Sequence, residues 1–341
     1  MIHTDIDKIF NILHWNVSEE FSQGYSEGLV EQFKTILCQQ QKQARFQTDQ
    51  VSCLEPDQLL DPRVSRFLLI PGTKSPSKVS KGALTYNDQS LEIVNFDARK
   101  FDEVFVKPSC ARVNLDDQEF MYATSKIEKA LNLLRDYCPS SFPFVDRLTF
   151  YIELWKELGL GGGSTSTGDW LGRTILRNPH REDFDVVLIS ECLVHEAIHH
   201  ALNIIEFKHP IIIDPKVHGR KIVSRWSGNF IGAHANIHAC FVWYGLYWFY
   251  DQLRKESNLN SSMLLQRQAY TARGFRSMTS IVQHYASIND MVNRDYLLAA
   301  ELMQREILNH YDILEHNKVF SRKTNGCDRS VNDDEANIYT A

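Results

Sequence analysis

No run of about eighteen uninterrupted apolar residues, the minimum for crossing a bilayer as a helix, occurs in this chain. The nearest, Ala239 to Tyr250, is twelve residues long and mostly aromatic, and it reads as a buried helix. No membrane partner is expected. An excess of positive charge is also missing. Lys and Arg number 37 against 43 Asp and Glu, a formal net charge of -6, which argues against a protein whose main task is to neutralise phosphates. No nucleic acid partner is expected either. Closely spaced cysteine pairs are absent: Cys38, Cys53, Cys110, Cys138, Cys192, Cys240 and Cys327 are scattered and odd in number, unlike a zinc, redox or disulfide framework. Reduced thiols in a cytoplasmic protein are the simpler reading. The opening Met1-Ile-His-Thr agrees with it, lacking the basic, apolar and small-residue segments of a secretory signal. No repeat of solenoid or propeller period is visible.

What is present divides the chain into three parts. Residues 1–115 form a helical and loop-rich N-terminal region. Apolar residues recur three and four apart at Ile9, Phe10, Ile12 and Leu13 and again at Leu29, Phe33, Ile36 and Leu37. Beyond Val51 the pattern breaks into short strand-like pieces such as Phe67 to Ile70 and Leu91 to Val94, separated by segments like Pro71 to Pro76. Residues 116–320 form the main domain, and the polar residues 321–341 form a tail expected to be disordered. Within the domain the spacing predicts a helix over 116–137, ended by Cys138-Pro139, and a half-buried strand over 147–154. A glycine and hydroxyl-rich stretch, Gly159 to Gly168, leads to a second strand over 171–176. Helices are expected over 185–205, 230–255, 262–288 and 292–316.

The chemistry concentrates in Leu193-Val-His-Glu-Ala-Ile-His-His200. Residues four apart share one face of a helix, so His195 and His199 can turn a ring nitrogen toward one ion, with Glu196 beside them. This His-Glu-x-x-His spacing is the layout of zinc peptidases, in which the glutamate acts as general base on a metal-bound water. A chance match is the plainer alternative, but the flanking Leu193, Val194, Ala197 and Ile198 suit a buried helix. The expected fold is α+β and mainly helical, with the metal-binding helix beside a small sheet in a zincin-like core.

Two imidazoles rarely suffice to hold a metal. The metzincin extension would need glycine and histidine at positions 202 and 205, where this chain has Leu202 and Ile205. Acidic residues after His199 are sparse, with Glu206 and Asp214 in or near the turn and Asp251 and Glu256 farther along. His234 and His238, again four apart, are better placed, and either can serve as the third ligand or as a hydrogen-bonded helix histidine.

Four pieces in order resemble the 2-oxoglutarate-dependent, His-Glu-x-x-His-type peptide β-hydroxylases found with ribosomally made, modified peptides. These are the Gly161 to Gly168 stretch with its following strand, the Glu191 to Asn203 helix, Arg225-Trp226, and His238 twelve residues beyond that tryptophan, ahead of the aromatic Phe241 to Tyr250. Together they span about residues 150–255. Where the family follows its tryptophan with arginine, this chain has Ser227-Gly-Asn-Phe230.

The resemblance implies Fe(II) held by His195, His199 and His238, with 2-oxoglutarate as cosubstrate and O2 as oxidant. The implied reaction hydroxylates an unactivated β-carbon of a peptide residue, for which the family suggests a ribosomally made precursor, and releases succinate and CO2. Glu196 then orients the site, and Arg225 is the first candidate to hold the distal carboxylate of 2-oxoglutarate, with Arg220, Lys221 and Arg276 as rivals. The glycine stretch and its strand can take up an extended peptide as an added strand. Two other readings stay open. One is a zinc metallopeptidase with Glu196 as base and Asp214 or Asp251 as third ligand. The other is a non-catalytic, peptide-binding partner of a biosynthetic complex.

Overall fold

A computed structural model describes residues 5–47, 60, 84–85, 91–95 and 112–324, apart from 167, 169, 218 and 278. The expected strand over 67–70, the Pro/Gly segment after it and the tail beyond 324 lie outside the described residues. The fold is α+β, mainly helical with a small mixed sheet. Among the described residues no helix is long and apolar enough to cross a membrane. The chain forms two compact units, Trp15–Lys208 and a second made of Met1–His14 with His209–Ala341.

In the first unit, helix α2 (Glu19–Gln47) is followed by strands β1 (Leu84–Thr85), β2 (Glu92–Asn95) and β3 (Arg112–Val113). Helix α3 (Asp117–Tyr137) begins one residue later than the pattern predicts because Asp116 is its cap. The Asp116 carboxylate accepts from the Glu119 amide at 2.8 Å, and the Glu119 carboxylate accepts from the Asp116 amide at 3.1 Å. This reciprocal box satisfies two amides that the first helical turn would otherwise leave open.

The strand expected from Arg147 starts later. Residues Phe142–Leu148 form helix α4, and strand β4 occupies Tyr151–Glu157. Pro143 presets the backbone angle of a first helical turn, and the buried Phe144, Val145 and Leu148 fall at helical spacing.

β4 is also not half-buried. It lies between β2 and β6 (Arg173–Arg177), parallel to both, and is covered on both faces. The apparent polar face contains Glu153, which is fully buried and accepts from Arg173 Nε at 2.7 Å and from Trp155 Nε1 at 2.7 Å. The Arg173 guanidinium lies 4.2 Å from the Trp170 ring centroid. Paired and hydrogen-bonded, the charges tolerate an interior that would reject either alone.

The sheet runs β1-β2-β4-β6-β5, with β3 pairing the far end of β4. β5 (Gly163–Thr165) is antiparallel to β6, with Ser164 opposite Leu176. Helix α5 (Val186–Glu206) packs against β5, β6, α3 and α4.

The second unit contains α1 (Asp5–Leu13), the hairpin of β7 (Lys221–Val223) and β8 (Phe230–Gly232), α6 (Ala233–Glu256), α7 (Ser261–Ala272), α8 (Ile281–His284) and α9 (Arg294–Thr324). α6 packs on α7 and α9 and buries Tyr244, Tyr247, Phe249 and Tyr250, so the aromatic run is core. The phenolic groups find partners there: Tyr244 donates to the Glu306 carboxylate, and Tyr247 bonds His310 Nδ1 at 2.7 Å.

The single helix expected over 262–288 is interrupted after Ala272. Gly274 passes under Trp226 so closely that a Cβ there would lie 2.2 Å from the indole Cε2. The Gln304 side chain then ties down the carbonyls of Phe275, Ser277 and Thr279 in the nonhelical stretch.

Candidate metal centre

Asp185 starts α5 by accepting from the Leu188 amide at 2.8 Å. Lys126 steadies the approach to that cap, donating to the carbonyls of Pro179 at 3.0 Å and Arg181 at 2.7 Å. Burial pushes the Lys126 ammonium below its ordinary pKa, against the pull of Asp185, Asp183 and Glu182.

Nearly three turns along α5 from that cap, His195 and His199 present their rings side by side, with centroids 5.0 Å apart. Both rings are half-buried, whereas Glu196 is 2% exposed. One potential ligand atom from each of the three residues falls within 4.8 Å of the other two. The helix therefore brings together the trio that its spacing predicts.

Strand β5 supplies a partner for the trio. Ser164 Oγ donates to Glu196 Oε1 at 2.6 Å, and that oxygen is 3.9 Å from His195 Nε2. A hydrogen bond to a charged acceptor fixes a carboxylate more firmly than a neutral pair would. Sequence reasoning missed this role for Ser164. The residue sits in the quoted glycine stretch, but the contact spans 32 positions and no local pattern announces it. Nearby, burial raises the Cys192 thiol well above its ordinary pKa, with a hydrogen bond to Ser164 pulling the other way.

The third histidine of the segment faces the sheet instead. His200 is fully buried, and burial pushes its pKa down to about 3. Its Nδ1 accepts from the Gly172 amide at 3.2 Å, which leaves the proton on Nε2, 3.4 Å from Thr174 Oγ1. Replacing His200 by alanine should cost roughly 2–4 kcal/mol of stability, from a cavity and an orphaned amide. Urea unfolding measures this. Metal affinity should fall less than tenfold, because the ring is turned away from the His195 and His199 face.

His234 and His238 stand on α6 in the second unit, with ring centroids 4.3 Å apart and His238 the more buried. In the same unit, Arg225 contrasts with its rivals. Arg220 donates to the Ser287 carbonyl, Arg276 stacks on Tyr311 and donates to its hydroxyl, and Lys221 is exposed. Arg225 donates one hydrogen bond, from Nη2 to the Thr279 carbonyl at 2.8 Å, while its Nε and Nη1 are shut off from solvent without a hydrogen-bond partner. Burial lowers its pKa, with Cys240, Tyr285 and Glu301 pulling the other way. Buried donors are nearly always satisfied, so these two call for a water, an ion or a ligand. Arg147, Arg177 and Arg254 each leave one such nitrogen, Nε, whereas Arg225 leaves two.

The carboxylates considered as zinc ligands are engaged elsewhere in the second unit. Asp251 binds Arg254 at 2.7 Å, Lys255 at 2.6 Å and Gln268 at 3.2 Å. Asp214 accepts from the Lys216 amide at 2.9 Å in an exposed turn.

No protein-family model matches the chain, and no curated protein matches it significantly.

Proposed function

We propose that the chain is an Fe(II)- and 2-oxoglutarate-dependent oxygenase that hydroxylates an unactivated β-carbon of a peptide residue. The observation that carries this reading over zinc hydrolysis is the Arg225 guanidinium, whose Nε and Nη1 are buried and unpaired. Open, charged donors on a buried guanidinium suit an anion such as the distal carboxylate of 2-oxoglutarate, which one of them at a time can bind, since Nε–H and Nη1–H lie on different edges of the group. Attack by a zinc-bound water does not itself require such a receptor, whereas 2-oxoglutarate always brings a second carboxylate to be held.

His195 and His199 are the iron ligands assigned on α5, and their imidazoles suit a divalent first-row metal. His238 as the third ligand rests on the sequence pattern alone. With 2-oxoglutarate bound, iron supplies the oxidation of an unactivated carbon–hydrogen bond that no side chain can perform.

The protein's own residues do the rest. Ser164 holds Glu196, whose carboxylate lies 3.9 Å from His195 Nε2, so that it acts on the imidazole through its charge as an outer partner and not through a hydrogen bond. β5, last in the sheet order, offers its outer edge to an extended peptide. This antiparallel last strand beside the metal helix also supports reading the core as zincin-like. Free thiols at Cys38, Cys138, Cys192 and Cys240 fit a cytoplasmic setting.

The test supplies anaerobically reconstituted full-length protein with Fe(II), 2-oxoglutarate, oxygen and a library of extended peptides. Succinate formation with a mass gain of one oxygen in a peptide is expected. Zinc-dependent peptide cleavage without succinate would establish the peptidase, and turnover with neither would leave the non-catalytic binding partner.

A further inference from the structure

Asn178, the residue after β6, has φ +53°. Side chains other than glycine seldom adopt that left-handed conformation, and asparagine is among the few that tolerate it. It is 2% exposed, and its backbone amide donates to the Trp155 carbonyl at 2.7 Å. Its carboxamide grips the connection between β4 and β5 from end to end. The oxygen accepts from the Glu157 amide at 2.8 Å, and Nδ2 lies 3.0 Å from the Glu157 carbonyl, 2.9 Å from that of Leu160 and 3.2 Å from that of Gly161. Two N–H bonds therefore serve three carbonyls.

The next residues are confined from the other side. A Cβ on Gly162 would lie 2.4 Å from Phe184 Cγ, and one on Gly163 would lie 2.9 Å from Arg177 Nη2. The Phe184 ring leaves no room for a side chain at Gly162, whereas at Gly163 only the flexible end of Arg177 stands in the way. Ser164 comes next and donates to Glu196. The path held in this way delivers the Ser164 hydroxyl to the carboxylate at 2.6 Å.

We propose that Asn178 is a positioning residue for the metal site, acting through the β4–β5 connection and Ser164 on Glu196. This rests on the reading that α5 binds a metal. Asn178→Gly keeps the left-handed backbone and removes the grip. Asn178→Asp keeps the backbone preference and the acceptor and removes the donors.

The experiment titrates the full-length chain with Co(II) alone, reading affinity by competition and geometry by the visible band. Hydrogen exchange at residues 163–165 is followed in parallel. N178G and S164A should each weaken Co(II) about tenfold and shift the band in the same way, as loss of an outer partner does. The double variant should bind no more weakly than S164A, because both act along one path. Exchange at 163–165 should accelerate in N178G while α5 stays protected. Should N178G fail to fold, N178D takes its place with the same expectations.

Unchanged Co(II) affinity in the Asn178 variant overturns the proposal. So do losses that multiply in the double variant, which would mark a merely structural role. If the unmodified chain takes up no Co(II), the metal reading falls, and exchange alone then decides. Faster exchange at 163–165 sustains the grip of Asn178, and unchanged exchange overturns it.

Discussion

Exchanging His199 for alanine is expected to abolish stable retention of a divalent metal while leaving the chain folded. His195 and His199 lie on one face of α5 with half-buried rings, so the substitution removes a donor without opening the core. The fully buried His200 next to it carries the packing role. Loss of an outer partner costs about 10–100-fold in metal affinity, and loss of a direct ligand must cost more. Metal content after gel filtration measures the effect, with thermal melting as the control for folding. His238→Ala should behave in the same way if it is the third ligand, whereas His234→Ala should retain the metal. Equal retention in the last two variants would remove His238 from the site.

Arg225→Met should separate binding from stability. The substitution removes two donors that have no hydrogen-bond partner, and the Thr279 carbonyl keeps its bond from Gln304 at 3.2 Å. Apolar replacement of poorly compensated buried charge is often neutral or stabilising, so the melting temperature should hold or rise. Affinity for 2-oxoglutarate should fall roughly ten- to a hundredfold, since one charge-assisted hydrogen bond contributes roughly 1.5–3 kcal/mol. Anaerobic calorimetric titration of the metal-loaded protein reads the first quantity, and a thermal scan reads the second. Unchanged affinity with a lowered melting temperature would make Arg225 a structural arginine and withdraw the main support for the oxygenase.

The helix that carries the histidines was legible because its information is local: a four-residue spacing, an aspartate cap and an apolar surround all lie within one segment. α3 was legible for the same reason, although the Asp116 and Glu119 box that sets its first residue was not read from the pattern. What escaped were features determined at a distance. The Arg147 to Leu154 alternation looks like a strand in isolation, yet Pro143 and the burial of Phe144 and Leu148 claim its first residues for α4. Glu153 reads as solvent-facing until Arg173, twenty positions later, meets it inside. The break after Ala272 depends on Trp226 needing the space above Gly274. In the candidate site, the trio on α5 was visible and its support was not, because Ser164 and Asn178 reach their partners only through the turn between strands.

The Glu153 and Arg173 pair has a consequence for how this chain can change over generations. Removing one member strands a charge in the sheet interior, at roughly 3–5 kcal/mol, a large share of the stability of an ordinary domain. Exchanging both for apolar residues of similar volume carries no such penalty. The single-step routes between the two states are therefore closed, and these positions should vary together in descendants or not at all. Trp155 shares the constraint, because its indole nitrogen donates to Glu153. A distant relative of this chain would thus betray itself by three linked positions on neighbouring strands, even where the histidine motif has been lost.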